Sequence, residues 1–157
     1  MVVNSMAKKK RSIKEKLDGT EIVMPDETFS ERKVISMGGQ RIELLKLGPA
    51  HSPGDILVWL PEKRVVMAGD LAFHQRLLPL FEHTDTRAWI ETCDKFEALC
   101  AKYVVPGYGE PTNMDEVTKY TKDYLVFLRT KMAALIEECG TRQEAYQIDQ
   151  SAYLHLP

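Results

Sequence analysis

The chain has 157 residues, of which 44% are hydrophobic and 28% charged, and its net charge at pH 7 is -2 with a pI near 6.1. These values indicate one soluble globular domain over residues 1–157 and exclude a strongly basic protein that would attract nucleic acid through its overall field. The amino-terminal segment lacks an apolar stretch of signal-peptide length, and no run is long enough to span a bilayer. We therefore expect a cytoplasmic protein with no nucleic-acid partner and no membrane contact.

The three cysteines, Cys93, Cys100 and Cys139, form no CxxC pair and are odd in number. This pattern indicates neither a disulfide framework nor a zinc-thiolate cluster. Cys93 and Cys100 lie seven residues apart, on the apolar face of a predicted helix. We expect buried free thiols that take no part in chemistry.

The first part of the chain predicts a short helix over residues 7–17, ended by Asp18 and Gly19, and a strand over 20–24. Residues 29–37 and 40–47 then predict a hairpin around Gly38 and Gly39. A second hairpin is predicted from 56–60 and 64–68. Because these two runs are apolar at nearly every position, we expect them to be covered on both faces.

The second part of the chain predicts a loop over residues 71–85 and a helix from a cap at Thr84 or Asp85 to about residue 102. The loop's apolar side chains serve either packing or a substrate. A short strand at 103–105 and a long helix over 115–139, opened by a capping box at Thr112, follow. Thr141 and Glu144 form a second box, which predicts a last helix to about residue 150.

Three short motifs follow strand-like sequence: AHSPGD at residues 50–55, AGD at 68–70 and PGYG at 106–109. Their order and spacing resemble the second half of the metallo-β-lactamase superfamily of zinc hydrolases. The resemblance implies an α/β fold in which the chain forms half of an αβ/βα sandwich, with a mixed, mostly antiparallel sheet flanked by helices. It also implies that His51 and Asp70 are metal ligands, and that Tyr108 stands where the family has a histidine ligand.

The chain departs from the family pattern in its histidines. Its only ones are His51, His74, His83 and His155, so the amino-terminal HxHxDH motif is absent. A catalytic zinc ordinarily has three protein ligands, and the phenol of Tyr108, with an ordinary pKa of about 10, is a poor substitute for imidazole. The resemblance therefore implies a metal-dependent hydrolase fragment that binds zinc weakly or not at all and is catalytically incompetent as an isolated chain.

Each candidate site residue has an alternative structural role. His51 and Asp70 are either ligands that face one pocket or turn residues that satisfy backbone amides. Tyr108 is expected to pack or to hydrogen-bond in the vacated site, and His74 to be an exposed loop residue rather than a surrogate ligand. The alternative function is a non-catalytic, self-associating or partner-binding module derived from this fold.

A half-domain of this family would leave open the apolar surface that its other half covers. A large exposed apolar patch is rare in monomers. We therefore expect either a homodimer or a complex with a complementing amino-terminal half.

Overall fold

A computed structural model describes residues 19–21 and 23–153, so the helix predicted at 7–17 lies outside the described residues. Five strands form one sheet in the order β1-β2-β3-β4-β5, in which every neighbouring pair is antiparallel except the parallel pair β4 and β5. This mixed, mostly antiparallel sheet with helices confirms the predicted α/β class. The elements are β1 (Arg32–Met37), β2 (Gln40–Leu45), β3 (Leu57–Leu60), β4 (Val65–Phe73), α1 (Thr86–Glu97), β5 (Tyr103–Tyr108), α2 (Met114–Val117), α3 (Asp123–Glu137) and α4 (Arg142–Ala145).

Both predicted hairpins are present. Met37 pairs with Gln40 across a two-residue turn in which Gly38 and Gly39 have φ of 58° and 75°, values that glycine adopts without steric cost. A turn of 3-10 helix, Pro61–Lys63, connects β3 to β4. The strand predicted for residues 20–24 is wrong, because the described residues of that stretch form no strand.

Among the described residues, side chains cover only one face of the sheet, so the prediction that β3 and β4 are covered on both faces is wrong for this part of the chain. Trp59, Val66 and Val104 are buried, whereas the alternate residues Met67 and Val105 are 42% and 36% exposed. The core cluster joins the buried sheet residues to side chains of α1 and α3. The described helices therefore lie on a single side and leave a continuous apolar sheet surface uncovered by residues 19–21 and 23–153, which the periodicity of one strand did not show.

The strands β4 and β5 are longer than the sequence predicts. Strand β4 continues through Asp70 to Phe73, and β5 runs to Tyr108, so residues 71–73 and the start of PGYG are sheet rather than loop. The register of the β4–β5 pair shifts around Gly69, which has φ of 54°. Such a bulge lets a strand continue past a turn-like residue and changes the direction of the side chains that follow.

Helix α1 begins as predicted at Asp85, whose side chain accepts hydrogen bonds from the backbone N–H groups of Arg87 and Ala88. It ends at Glu97, five residues before the predicted end. The predicted long helix begins with a cap at Asn113 rather than Thr112, and a π-helical turn, Thr118–Lys122, separates α2 from α3. Within residues 19–21 and 23–153, no helix is long and apolar enough to cross a bilayer.

Helix α4 opens with the predicted capping box, in which Thr141 and Glu144 exchange hydrogen bonds through their side chains and backbone. It ends at Ala145, before the predicted end near residue 150.

The π-turn holds the far end of β4. The buried hydroxyl of Thr121 accepts a hydrogen bond from Phe73 N–H at 2.9 Å and donates one to Phe73 O at 3.1 Å. The same turn carries Lys122, whose ammonium bonds to Asp94 and Glu97 of α1 at 2.7 Å each, and these bonds raise the pKa of Lys122. The turn therefore joins β4 to α1.

The cysteines are free, but only Cys93 is buried. Burial, with a smaller contribution from nearby Glu97, raises the pKa of the Cys93 thiol to about 12. Cys100 and Cys139 are exposed because α1 and α3 end before them, and the prediction of buried thiols is wrong for both.

Replacing Thr121 by valine should lower the free energy of unfolding by about 1–3 kcal/mol, because both backbone groups of Phe73 would lose their partner in a buried position. Urea denaturation measures this loss. Thr121→Ser, which keeps the hydroxyl, should recover most of it; an equal loss in both variants would contradict the hydrogen-bond argument.

Alkylation of the native protein at pH 8 should modify Cys100 and Cys139 rapidly and Cys93 only after unfolding. The raised pKa keeps Cys93 almost entirely protonated at this pH, and burial blocks access. Mass spectrometry after iodoacetamide treatment, with and without urea, counts the labelled thiols. Rapid modification of Cys93 in the native state would show that this part of the core opens.

Candidate functional site

The loop that carries His51 is attached to helix α1. Lys95 Nζ donates to Leu47 O at 3.0 Å, and the Thr92 hydroxyl lies 2.8 Å from Pro49 O. Gly48 has φ of 157°, and a Cβ there would collide with the Thr92 hydroxyl, so only glycine allows this close approach. The helix thus fixes the position from which the His51 side chain extends.

His51 lies among aromatic side chains. Its ring centre is 5.3 Å from that of Phe81, 5.9 Å from that of Trp89 and 6.1 Å from that of Phe73. The Nδ1 atom is buried and has no hydrogen-bond partner. The alternative that His51 satisfies backbone amides is therefore wrong for Nδ1. The turn that carries His51 is stabilised instead by the Asp55 carboxylate, which accepts a hydrogen bond from Ser52 N–H at 2.7 Å.

Asp70 lies in β4 directly after the bulge at Gly69, and its carboxylate is next to Gly107 of β5. A Cβ on Gly107 would lie 2.6 Å from Asp70 Oδ1 and 2.6 Å from Gly69 O, so the glycine of PGYG makes room for this carboxylate. Within residues 19–21 and 23–153, the Asp70 side chain has no hydrogen-bond or ion-pair partner. Asp70 is therefore not a turn residue, and its carboxylate does not accept a hydrogen bond from a backbone amide.

Tyr108 packs, as the sequence predicts. Its ring stacks on Phe73 with 5.2 Å between centroids and 17° between planes, and the guanidinium of Arg76 lies 4.1 Å from its ring centre. Phe73 therefore contacts both Tyr108 and His51. Phe73, Tyr108 and His51 therefore form one group at the carboxyl-terminal end of β4, the part of the strand that also carries Asp70.

The other histidines are not part of this group. His74 is only 8% exposed, so its prediction as an exposed loop residue is wrong. Its Nδ1 lies 3.0 Å from Glu110 O and its Nε2 3.9 Å from Glu116 Oε2, which directs the ring toward β5 and α2. His83 is exposed and stacks on Phe81, and His155 lies outside the described residues.

The donor set of the described chain is incomplete for a catalytic zinc. Among residues 19–21 and 23–153, no group of three or more His, Cys, Asp or Glu side chains is placed to hold a metal ion. A zinc-binding histidine also ordinarily bonds through its second ring nitrogen to a carbonyl or carboxylate, whereas three aromatic rings surround His51. A shared ion for His51 and Asp70 stays a prediction.

The sequence did not reveal the aromatic wall around His51. Phe73 and Phe81 lie in a segment whose apolar residues follow neither a helical nor a strand period. Trp89 is indistinguishable in sequence from any residue on the apolar face of a helix. Two cavities of the described chain lie elsewhere: one of about 10 Å³ beside Cys93, and an open apolar groove of about 470 Å³ along α3. Neither is lined by His51 or Asp70.

Comparison with known proteins identifies the family. A sequence profile of the metallo-β-lactamase superfamily matches residues 4–108. The chain belongs to this superfamily. The matched region contains His51, Asp70 and Tyr108, so the superfamily assignment rests on the part of the chain that carries the candidate site.

Similar proteins include hydrolases of two kinds. The chain is 30% identical over 102 residues to a metallo-β-lactamase type 2 of Bacteroides fragilis and 24% identical over 115 residues to a linear primary-alkylsulfatase of Pseudomonas sp.. These alignments cover 61% and 68% of this chain, but only 41% and 22% of the relatives. The chain therefore spans less than half the length of these relatives.

Solved structures show the same fold. A metallo-β-lactamase from Pontibacter korlensis superposes with a TM-score of 0.60 at 23% identity, over 69% of this chain and 52% of that one. The sec-alkyl sulfatase PisA1 gives a TM-score of 0.64 at 20% identity, over 82% of this chain and 22% of that one.

Replacing His51 by leucine should raise the free energy of unfolding by about 1 kcal/mol, because an unpaired buried nitrogen is replaced by an apolar group among aromatic rings. Chemical denaturation measures the change. His83→Leu, at an exposed position, is the matched control and should change stability by less than about 0.5 kcal/mol. A loss of stability in His51→Leu alone would mean that the Nδ1 atom has a partner in solution.

Proposed function

We propose that this chain is a metallo-β-lactamase-type hydrolase fragment that carries part of a metal site and is catalytically incompetent by itself. This proposal is supported by the donor atoms of His51 and Asp70 and by the number of donors around them. His51 and Asp70 both keep donor atoms without protein partners, and no third donor joins them among the described residues. Two donors are fewer than a catalytic zinc requires.

Tyr108 does not compensate for the missing donor. A phenol must lose a proton with an ordinary pKa of about 10 before it binds a metal well, whereas neutral imidazole is available at pH 7. Its ring is also engaged by Phe73 and Arg76. Activity therefore requires metal donors beyond those of these 157 residues, in the place of the HxHxDH motif that this sequence lacks.

A completed site would be hydrolytic. Zinc, when bound, supplies a Lewis acid and a water of lowered pKa. The curated relatives are named as a metallo-β-lactamase and an alkylsulfatase, which favours a lactam, ester, thioester or sulfate ester as the substrate. We place the protein in the cytoplasm, because its exposed Cys100 and Cys139 are free thiols of the kind that persist in a reducing compartment.

The second candidate function is a non-catalytic binding module that pairs with itself or with another protein. The uncovered sheet face favours it, since that surface is apolar and requires no metal to be useful. The two candidates differ in whether zinc binding contributes to function.

The isolated chain should retain less than one zinc per molecule after gel filtration, as measured by elemental analysis, and should not hydrolyse a β-lactam or an aryl sulfate. Tyr108→His should raise zinc affinity roughly tenfold or more, because it restores a neutral nitrogen donor at the position where the superfamily motif has a histidine ligand. Isothermal titration with zinc measures the affinity.

Tyr108→Phe is the matched control, because it keeps the stacking on Phe73 and adds no donor; its zinc affinity should equal that of the unmodified chain. Stoichiometric zinc in the unmodified chain, lost in both His51→Ala and Asp70→Asn, would overturn the proposed incompetence. Equal zinc affinity in the Tyr108→His and Tyr108→Phe variants would show that residue 108 does not face the donors.

A further inference from the structure

The uncovered side of the sheet is a regular apolar surface, which we call the open face. Leu44 pairs with Val58, Val58 with Met67, and Met67 with Val105, so one apolar row crosses four strands. Val65 and Tyr103 are paired in a neighbouring row. The open face consists of these six residues: Leu44, Val58, Val65, Met67, Tyr103 and Val105.

The charged side chains of the described residues lie at the edges of this surface. None of the six side chains is charged, and Met67, Tyr103 and Val105 are 42%, 51% and 36% exposed. Lys33, beside Leu44 on β1, forms an ion pair with Glu27. At the opposite edge the Lys102 ammonium lies 4.9 Å from the centre of the Tyr103 ring. An apolar centre with charged edges is the usual anatomy of a protein interface.

We propose that a second copy of this chain covers the open face with its own open face, around a two-fold axis that lies between the two sheets, parallel to them, near Met67. A surface meets itself across such an axis, so any charge near the centre would approach its own like charge. This face has no charge there, and it is therefore self-complementary. Two sheets pack face to face at about 10 Å with their strands within about 30° of each other.

The size of the face sets the expected strength of the dimer. The six residues of the open face project from four strands, β2 to β5. At about 4.8 Å between strands and 3.3 Å per residue, four strands of about five residues each cover roughly 300 Å² in projection. Pleated side chains expose more than their projection, so a pair buries an area near the lower limit of about 1,000 Å² for specific interfaces. We expect a dissociation constant in the micromolar range. This association does not depend on the proposed metal chemistry.

Sedimentation equilibrium over about 5 to 200 μM should show a mass that rises from the 17.9 kDa of one chain toward twice that value. Met67→Lys and Val105→Lys should each weaken dimerisation at least tenfold, because each buries two ammonium groups near the axis. Both residues are partly exposed in one copy, so the variants should fold, and circular dichroism checks this.

Val126→Lys on α3 is the matched control, because Val126 is 43% exposed and lies on a helix rather than on the open face. It should dimerise like the unmodified chain. A chain that stays monomeric at about 200 μM overturns the proposal. A dimer that Met67→Lys and Val105→Lys leave intact, or a mass that grows beyond two copies, overturns it as well.

Discussion

The far end of β4 is held by two side chains that reach it from separate helical segments. Trp89 Nε1 of α1 donates to Leu71 O at 3.0 Å, and the Thr121 hydroxyl of the π-turn bonds both backbone groups of Phe73. Buried backbone groups need such hydrogen-bond partners. Here the partners also fix the position of strand β4, on which Asp70 lies. They fix the ring of Phe73 as well, which contacts both His51 and Tyr108. A π-turn is an uncommon element that often marks a functional region, and its place here, bonded to the strand of the candidate site, agrees with that tendency.

The one-sided cover of the sheet is the second constraint. Helices α1 and α3 bury Trp59, Val66 and Val104 from one side, and this core is sufficient to define the fold shared with metallo-β-lactamases. The other side is apolar as well, because in strands β3 and β4 both sets of alternate residues are hydrophobic. Such strands are suited to a sheet covered on both faces, so their sequence implies a second layer that the described chain does not provide.

The candidate site combines geometry that favours metal binding with a donor set that does not complete it. The unpaired buried Nδ1 on His51 reduces stability, which is characteristic of a residue that serves a function rather than the fold. Phe73 fills the space between His51 and Tyr108 and stacks on the phenol. Residue 108 therefore contributes packing in this chain, at a position where the superfamily motif has a histidine.

The sequence by itself determined the features that depend on neighbouring residues: the Gly38-Gly39 hairpin, the Asp85 cap, the Thr141–Glu144 capping box and the three motifs that identify the superfamily. Only the tertiary structure decided which side of the sheet is covered, how far β4 and β5 extend, and that His74 is buried whereas Cys100 is exposed. Those outcomes depend on partners far away in sequence. Thr121 lies 48 residues from the strand end that it holds, and Glu110 lies 36 residues from His74. Local periodicity has no information about such partners, because burial is set by what packs against a side chain and not by the residues on either side of it.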